Sequence, residues 1–391
     1  IRKIYYLKNN KEILDVVGSD GIGGVQNFIA TLAAYDNKYN INRNLLCLYK
    51  KSVIKSDELS KSNIKLYNSA LYIKDSNWRP YRFWKTIRML LATIHRYFYY
   101  YNCIKKSNPD IVICHEPYQI FFQLITCKIF GIPFVLYMHK EFDFYRSTRF
   151  LKYFINNTYF LSVSKKLAKN NLGEINYYNK RLKIITATSN LEYIANYCHE
   201  YEKNNECINI GTIGRLSWEK NFEDVIYIAS KLKYICKKKI NISIVGDGPE
   251  RKKLKELIEE MELSDTVFLL GAMNFKDISS YLFDLDIYIQ TSITEGSPLT
   301  IKEAMAASLP VISTNVSGIP ELITDGKNGF LIKKGDSDAF VNKLNDIINM
   351  SGEKRKIVGK KGQKSILEKY STKIIAKKYA DYCNYILDKD L

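Results

Sequence analysis

Residues 291–303, TSITEGSPLTIKE, constrain the fold more than any other stretch of the chain. They follow the apolar run Ile287-Tyr288-Ile289 and lead into Ala304-Met305-Ala306-Ala307. A short β-branched and aromatic run, a Gly-Ser-Pro turn and a second apolar run read as strand, tight loop and helix. Pro298 suits the first helical position, where its missing N–H costs nothing, and Ser297 before it is a candidate cap. The loop sets Glu295 ahead of the helix and Glu303 inside it, with Gly296 and unpaired backbone N–H groups between them. Such a helix start binds phosphate, and carboxylates accept hydrogen bonds from sugar hydroxyls. Two acids bracketing an anion site imply a ligand that is part phosphate and part sugar. An ordinary strand–loop–helix junction with surface acids uses the same residue types, so companion motifs have to decide.

Those motifs recur along a chain in which apolar runs alternate with helical patterns, the mark of a doubly wound α/β protein. Residues 4–7 and 13–17 compete as the first strand; Gly18 to Gln26, rich in glycine, then opens a helix through Phe28 and Leu32. Residues 110–114 and 134–138 are buried-type strands ending at His115 and His139. Both histidines therefore fall at strand C-terminal ends, where open α/β sheets bind ligands. Residues 161–164 read as a strand before a helix. In the second half, residues 208–213 form a strand followed by Gly214-Arg215-Leu216-Ser217-Trp218-Glu219-Lys220-Asn221. Arg215 offers a planar fork and Lys220 a point charge, both suited to a diphosphate. Strands are also expected at 242–245, before Gly246-Asp247-Gly248-Pro249, at 268–271 and at 310–314, and a helix from Tyr370 to Leu387.

Taken together, Glu295-Gly296-Ser297-Pro298 with Glu303-Ala304, the G-R-L-x-x-x-K-N pattern of residues 214–221 and the turn at Gly246 resemble the retaining GT-B glycosyltransferases of family four. The resemblance is dense over residues 208–385 and sparse before them. It implies an α/β GT-B fold, two Rossmann-like domains with an interdomain cleft: 1–190 for the acceptor, 191–370 for the nucleotide sugar, and 371–391 a helix crossing back to the first domain. It implies that Arg215, Lys220, Glu295 and His139 act in catalysis. Gly23, Gly24, Gly296, Ser297, Pro298, Leu299 and Glu303 would join Arg215, Lys220 and Glu295 around the donor, and His115, Arg146 and Arg149 would face the acceptor. The family's Asn-Gly-x-Asp-like turn is replaced by Thr188-Ser189-Asn190-Leu191-Glu192. Asp284-Leu285-Asp286 has the D-x-D form of a metal motif, but it runs straight into a strand; Asp286 is read as structural and no metal or other cofactor is expected.

The net charge of +18 is unevenly placed: residues 1–190 hold 30 Lys and Arg against 12 Asp and Glu, and the remainder holds 29 of each. An anionic counterpart follows, and an anionic membrane surface fits it. Genome composition explains the residue types but not the asymmetry. In 78–101, Trp84, Ile87, Leu91, Ile94, Phe98 and Tyr101 share one helical face, read as the packed one, opposite Arg82, Lys85 and Arg96. The aromatic–basic stretch 142–152 reads as an interfacial loop; no nucleic-acid motif accompanies it. Eight scattered cysteines without a C-x-x-C pair indicate neither zinc nor a disulfide framework. No apolar run is long enough to span a bilayer and no signal peptide is visible; the chain starts at Ile1, so a few trimmed residues are expected. The expected location is cytoplasmic, peripheral at the inner face of the plasma membrane. The expected activity is transfer of a sugar, UDP-linked by expectation, to a saccharide or lipid-linked hydroxyl acceptor in surface polysaccharide synthesis. The rivals are a nucleotide-sugar epimerase on the same fold and a non-catalytic partner of another transferase.

Overall fold

The structure is a computed structural model that describes residues 10–17, 24–47, 64–68, 82–115, 120–141, 158–172, 181–197 and 207–390. The chain divides into two units, Ile1–Ala187 with Lys373–Leu391, and Thr188–Thr372.

The first unit runs β1 (Lys11–Val17), α1 (Gly24–Ala33), β2 (Ile41–Cys47), β3 (Lys65–Asn68), α2 (Arg82–Ser107), β4 (Ile111–Cys114), α3 (Ile120–Phe130), β5 (Phe134–Met138), β6 (Thr158–Ser162), α4 (Lys165–Leu172) and β7 (Leu182–Ile184). Its sheet has the order β3-β2-β1-β4-β5-β6-β7, and its pairings are parallel. Parallel strands are covered on both faces, which is why β4 and β5 are continuous apolar runs and buried throughout. Of the two competing first strands, 13–17 lies in β1; 4–7 falls outside the described residues.

The second unit runs α5 (Leu191–Ala195), β8 (Cys207–Ile213), α6 (Phe222–Ile235), β9 (Lys239–Val245), α7 (Arg251–Glu260), β10 (Val267–Gly271), α8 (Phe275–Asp284), β11 (Ile287–Gln290), α9 (Leu299–Ala306), β12 (Val311–Thr314), β13 (Phe330–Ile332), α10 (Ser337–Asn349) and α11 (Gly352–Tyr370). The sheet order is β10-β9-β8-β11-β12-β13, again parallel. Side chains of alternate strand positions point to opposite faces. Ile287 and Ile289 accordingly join the cluster of α6 and α10, whereas Tyr288 joins that of α8 and α9. Each fully buried aliphatic side chain in these layers contributes roughly 1.5–3 kcal/mol.

Two local expectations are corrected. Helix α9 starts at Leu299, so Pro298 is its extended cap residue rather than its first helical one. The C-terminal helix expected over 370–387 is α12 (Thr372–Asp390), set off from α11 by the extended Ser371. The packed face of α2 is turned: Tyr100, Cys103 and Ile104 are buried, while Ile94 and Phe98 are 43% and 58% exposed. Residues 97–104, YFYYYNCI, are apolar nearly all round, so periodicity alone did not single out the inner face. The exposed Phe98 lies beside Tyr97, which packs on Phe122 of α3. Helix α12 is pinned within the first unit by Tyr382, whose hydroxyl donates to the carbonyls of Arg181 (2.7 Å) and Phe160 (3.2 Å).

Candidate active site

In the second unit the strand order reverses between β8 and β11, the place where open parallel sheets leave a crevice at their C-terminal ends. The two motifs singled out above leave from these two strands. After β8, residues Trp218–Lys220 form a 3-10 turn closed by Asn221, which sits at φ 53°, a left-handed conformation that asparagine tolerates. After β11, Thr291 to Pro298 lead into α9. The loops are tied by backbone. The Ile293 N–H donates to the Glu219 carbonyl (2.8 Å), and the Thr291 hydroxyl donates to the carbonyls of Asn221 (2.9 Å) and Lys220 (3.2 Å).

This tie brings Lys220 and Glu295 together. Lys220 Nζ lies 2.5 Å from Glu295 Oε1, and the side chains are 18% and 10% exposed. The same oxygen accepts from Gln290 Nε2 (2.6 Å) and Ser292 Oγ (2.8 Å). Gln290 is oriented in turn, because its carbonyl oxygen accepts from Thr300 Oγ1 (3.1 Å) and from the Tyr288 hydroxyl (3.3 Å). Burial pushes the Tyr288 phenol pKa up, so it remains a donor. Glu295 is thus held through one oxygen, and Oε2 lies outside this cluster. Arg215 is exposed on the same loop as Lys220, and among the described residues its side chain is in no ion pair.

Gly296 and Ser297 are half-buried in the loop, Pro298 is buried and Leu299 opens α9. Glu303 is 6% exposed on α9 and acts electrostatically on Tyr288 and on Lys302. Lys302 is fully buried; burial holds its ammonium pKa down at about 7, partly opposed by Glu303. Its ammonium lies 5.7 Å from the centre of the Tyr370 ring, so α9 is fastened to α11 by a desolvated cation–π contact. Asp286 does structural work: its carboxylate accepts from the Asn209 N–H (3.0 Å), joining the starts of β8 and β11. Among the described residues no cluster of three or more His, Cys, Asp or Glu could hold a metal ion.

In the first unit the equivalent reversal lies between β1 and β4. His115 follows β4 and His139 follows β5, and their facing nitrogens, Nδ1 and Nε2, are 2.9 Å apart. His139 is half-exposed, with its ring 4.3 Å from that of Tyr137. His115 is buried, and its Nε2 lies 2.9 Å from Asp15 Oδ1. Both of its ring nitrogens are engaged within the unit. Gly24 is the exposed first residue of α1. Gly23, Arg146 and Arg149 lie outside the described residues.

Sequence reasoning missed Gln290, Ser292 and Asp15. A polar residue at an otherwise apolar strand position was the signal for Gln290 in IYIQ and for Asp15 in ILDVV. Asp15 is fully buried. Burial raises its pKa, but Arg43 and His115 more than offset that, and the carboxyl stands below its usual range.

Residues 196–365 match the family model described as glycosyl transferases group 1. WcaL of Salmonella typhimurium, assigned provisionally to colanic acid biosynthesis as a glycosyltransferase, is 31% identical over 143 residues, 35% of each chain. The match thus spans about a third of that relative's length. A glycosyltransferase from Rickettsia africae superposes with a TM-score of 0.77 at 20% identity, covering 97% of this chain and 99% of that one. HepE of Anabaena, solved with UDP and glucose, gives 0.76 at 17% identity over 96% and 100%. At these identities the structural likeness shows the fold. Residues 196–365 match the glycosyl transferases group 1 family model, and the two parallel-sheet Rossmann-like units have the fold of the GT-B glycosyltransferases.

Proposed function

We propose that this protein transfers a sugar from a nucleotide sugar to a hydroxyl of a saccharide acceptor, with retention of anomeric configuration. The observation that carries this reading is the Lys220–Glu295 pair, held at 2.5 Å by two interlocked loops at the switch point of the second unit. A cation and a carboxylate so placed suit the two halves of one donor. Lys220 and Arg215 would offset the negative charge that develops on the departing diphosphate. Glu295 would accept from the donor sugar's hydroxyls and Glu303 from those of the ribose. In the transfer, the bond from the anomeric carbon to the phosphate oxygen breaks. The acceptor oxygen bonds to that carbon on the same face, and its proton passes to the leaving phosphate. No metal or other cofactor is needed in this reading. UDP is favoured by the ligands of HepE, and polysaccharide synthesis by the name of WcaL.

The test is release of free nucleotide from a panel of UDP- and GDP-sugars, with and without EDTA. One donor should be turned over in both conditions, and Glu303→Ala should lower kcat/KM for it by about 10-fold or more, the loss of one or two hydroxyl bonds. A wild-type enzyme inert toward the whole panel refutes the activity; a requirement for Mn²⁺ or Mg²⁺ refutes the metal-free reading.

The acceptor is proposed to be lipid-linked and the protein peripheral on an anionic leaflet. Support comes from the +18 charge of residues 1–190 and from the exposed Ile94 and Phe98 of α2 and Ile129 of α3, helices that also carry the exposed Lys105, Lys106 and Lys128. No helix among the described residues is long and apolar enough to cross a membrane. Co-sedimentation with phosphatidylglycerol vesicles but not with phosphatidylcholine vesicles is expected; equal, negligible binding to both would sink this part.

A further inference from the structure

Residues 191–391 carry as many acids as bases, yet the charges are not evenly mixed. Residues 231–239, KLKYICKKK, hold five lysines and no acid, and residues 352–361, GEKRKIVGKK, hold five basic side chains against Glu353. The two stretches meet at the end of α10. Lys238 Nζ donates to the Ile348 carbonyl at 3.0 Å, and Arg355 Nη1 donates to the same carbonyl at 3.1 Å and to that of Met350 at 2.8 Å. Cations at the C-terminal end of a helix satisfy its last carbonyls and its dipole, so these two have a structural role. Lys239 opens β9, which places the patch at the N-terminal edge of the sheet. The seven residues of β9 set it about 20 Å from the opposite edge, where the loops of Lys220 and Glu295 leave.

The rest of the patch has no such role. Lys233 donates to the Glu262 carbonyl (2.7 Å) and pairs with Asp265 (3.6 Å), and Lys231 lies over the Tyr227 ring. Lys237, Lys239, Lys354 and Lys356 are exposed, and among the described residues they are in no ion pair. Apolar side chains stand among them: Tyr234 is 86% exposed, Ile235 47% and Ile357 49%. Their neighbours Leu232 and Val358 pack into the core, so the phase of each helix holds Tyr234 and Ile357 outward.

We propose that this patch is a membrane contact on the second unit, separate from the one proposed for the first. The four free lysines meet the phosphates of an anionic leaflet, and Tyr234, Ile235 and Ile357 enter the boundary between headgroups and acyl chains. Ile235 and Ile357 decide for lipid over nucleic acid, because an aliphatic side chain offers a base neither a stacking face nor a hydrogen bond but leaves water on entering a lipid interface. The choice of an anionic lipid rests on the peripheral reading above; the patch itself needs no enzymatic activity.

The test is co-sedimentation of the full chain with phosphatidylglycerol vesicles at about 0.1 M salt. Replacing Lys237, Lys239, Lys354 and Lys356 together by glutamine should weaken binding by about 10-fold or more and flatten its salt dependence. Tyr234→Ser with Ile357→Ser should weaken it by about 10-fold and leave the salt dependence as in wild type. Tyr234→Trp reports placement. Over the background of the chain's three tryptophans, it should add emission that moves to the blue with vesicles and is quenched by brominated phosphatidylglycerol. A four-lysine variant that binds like the wild type, or added emission that ignores the vesicles, overturns the proposal. If the four-lysine variant does not fold, the emission of Tyr234→Trp decides alone. Lys105→Gln with Lys106→Gln reads the first-unit contact in the same assay, so either contact can fail while the other stands. A wild type that binds no phosphatidylglycerol overturns both. Binding of poly(U) RNA through the same four lysines, with no binding to vesicles, assigns the patch to nucleic acid and overturns the lipid contact.

Discussion

Replacing Lys220 by alanine lowers turnover of the nucleotide sugar by about 100- to 1,000-fold, the loss seen when one preorganised group aimed at developing charge is deleted. The loss should fall on kcat more than on KM, because the diphosphate gains negative charge only as the sugar leaves. The fold should survive. Glu295 keeps Gln290 and Ser292 as donors, and the loops remain tied through Ile293 and Thr291. The lost ion pair is mostly buried, but the two remaining donors to Glu295 limit the cost to about 1–3 kcal/mol. Thermal unfolding should therefore shift by only a few degrees while activity collapses. A variant within about 3-fold of wild-type kcat would remove Lys220 from the chemistry and with it the central support for the proposed function.

Gly246→Ala has the largest expected effect on stability. Gly246 ends β9 at φ +141°, a backbone conformation that L side chains rarely adopt. A Cβ there would lie 1.8 Å from the Gly214 carbonyl oxygen, which is backbone and cannot swing aside. The place is fixed from three sides: Gly246 N–H donates to the Gly271 carbonyl (2.7 Å), Gly214 N–H to Val245 (2.9 Å) and Leu216 N–H to Asp247 (3.0 Å). Backbone strain and overpacking together should cost about 3–5 kcal/mol. For a domain of this size that is a fall in Tm of about 10 °C. The segment pushed away is 214–216, which carries Arg215 and precedes Lys220, so activity should fall as well. Gly352→Ala is the control: a Cβ at that first turn of α11 meets nothing within 4 Å. It should leave Tm unchanged or slightly raised. Equal Tm values for the two variants would show that the 246–248 turn does not hold the 214–216 loop.

The second unit was the more legible half. In β8, β9 and β11 short apolar runs end at glycines or polar residues, and local chemistry alone fixes strand and turn. The β8 and β11 motifs announced a cation and two acids because each is contiguous. The first unit was harder. Its helix α2 is apolar on several faces, so the period of its side chains fits more than one orientation, and tertiary packing, such as the contact of Tyr100 with Cys127 of α3, chose the face. Where α12 begins is likewise tertiary: Ser371 is extended, and the Thr372 hydroxyl donates to the Ser189 carbonyl and to Glu192.

The sequence by itself determined the residue types of the candidate site and the strands they follow, because those depend on neighbours a few positions away. Only the tertiary structure decided that Lys220 meets Glu295, 75 residues on, beside Gln290, and that His115 faces Asp15, 100 residues back, rather than solvent. The reason is physical. Parallel strand order sets which loops become neighbours, and hydrogen bonds between residues far apart in the chain leave no periodic trace in it.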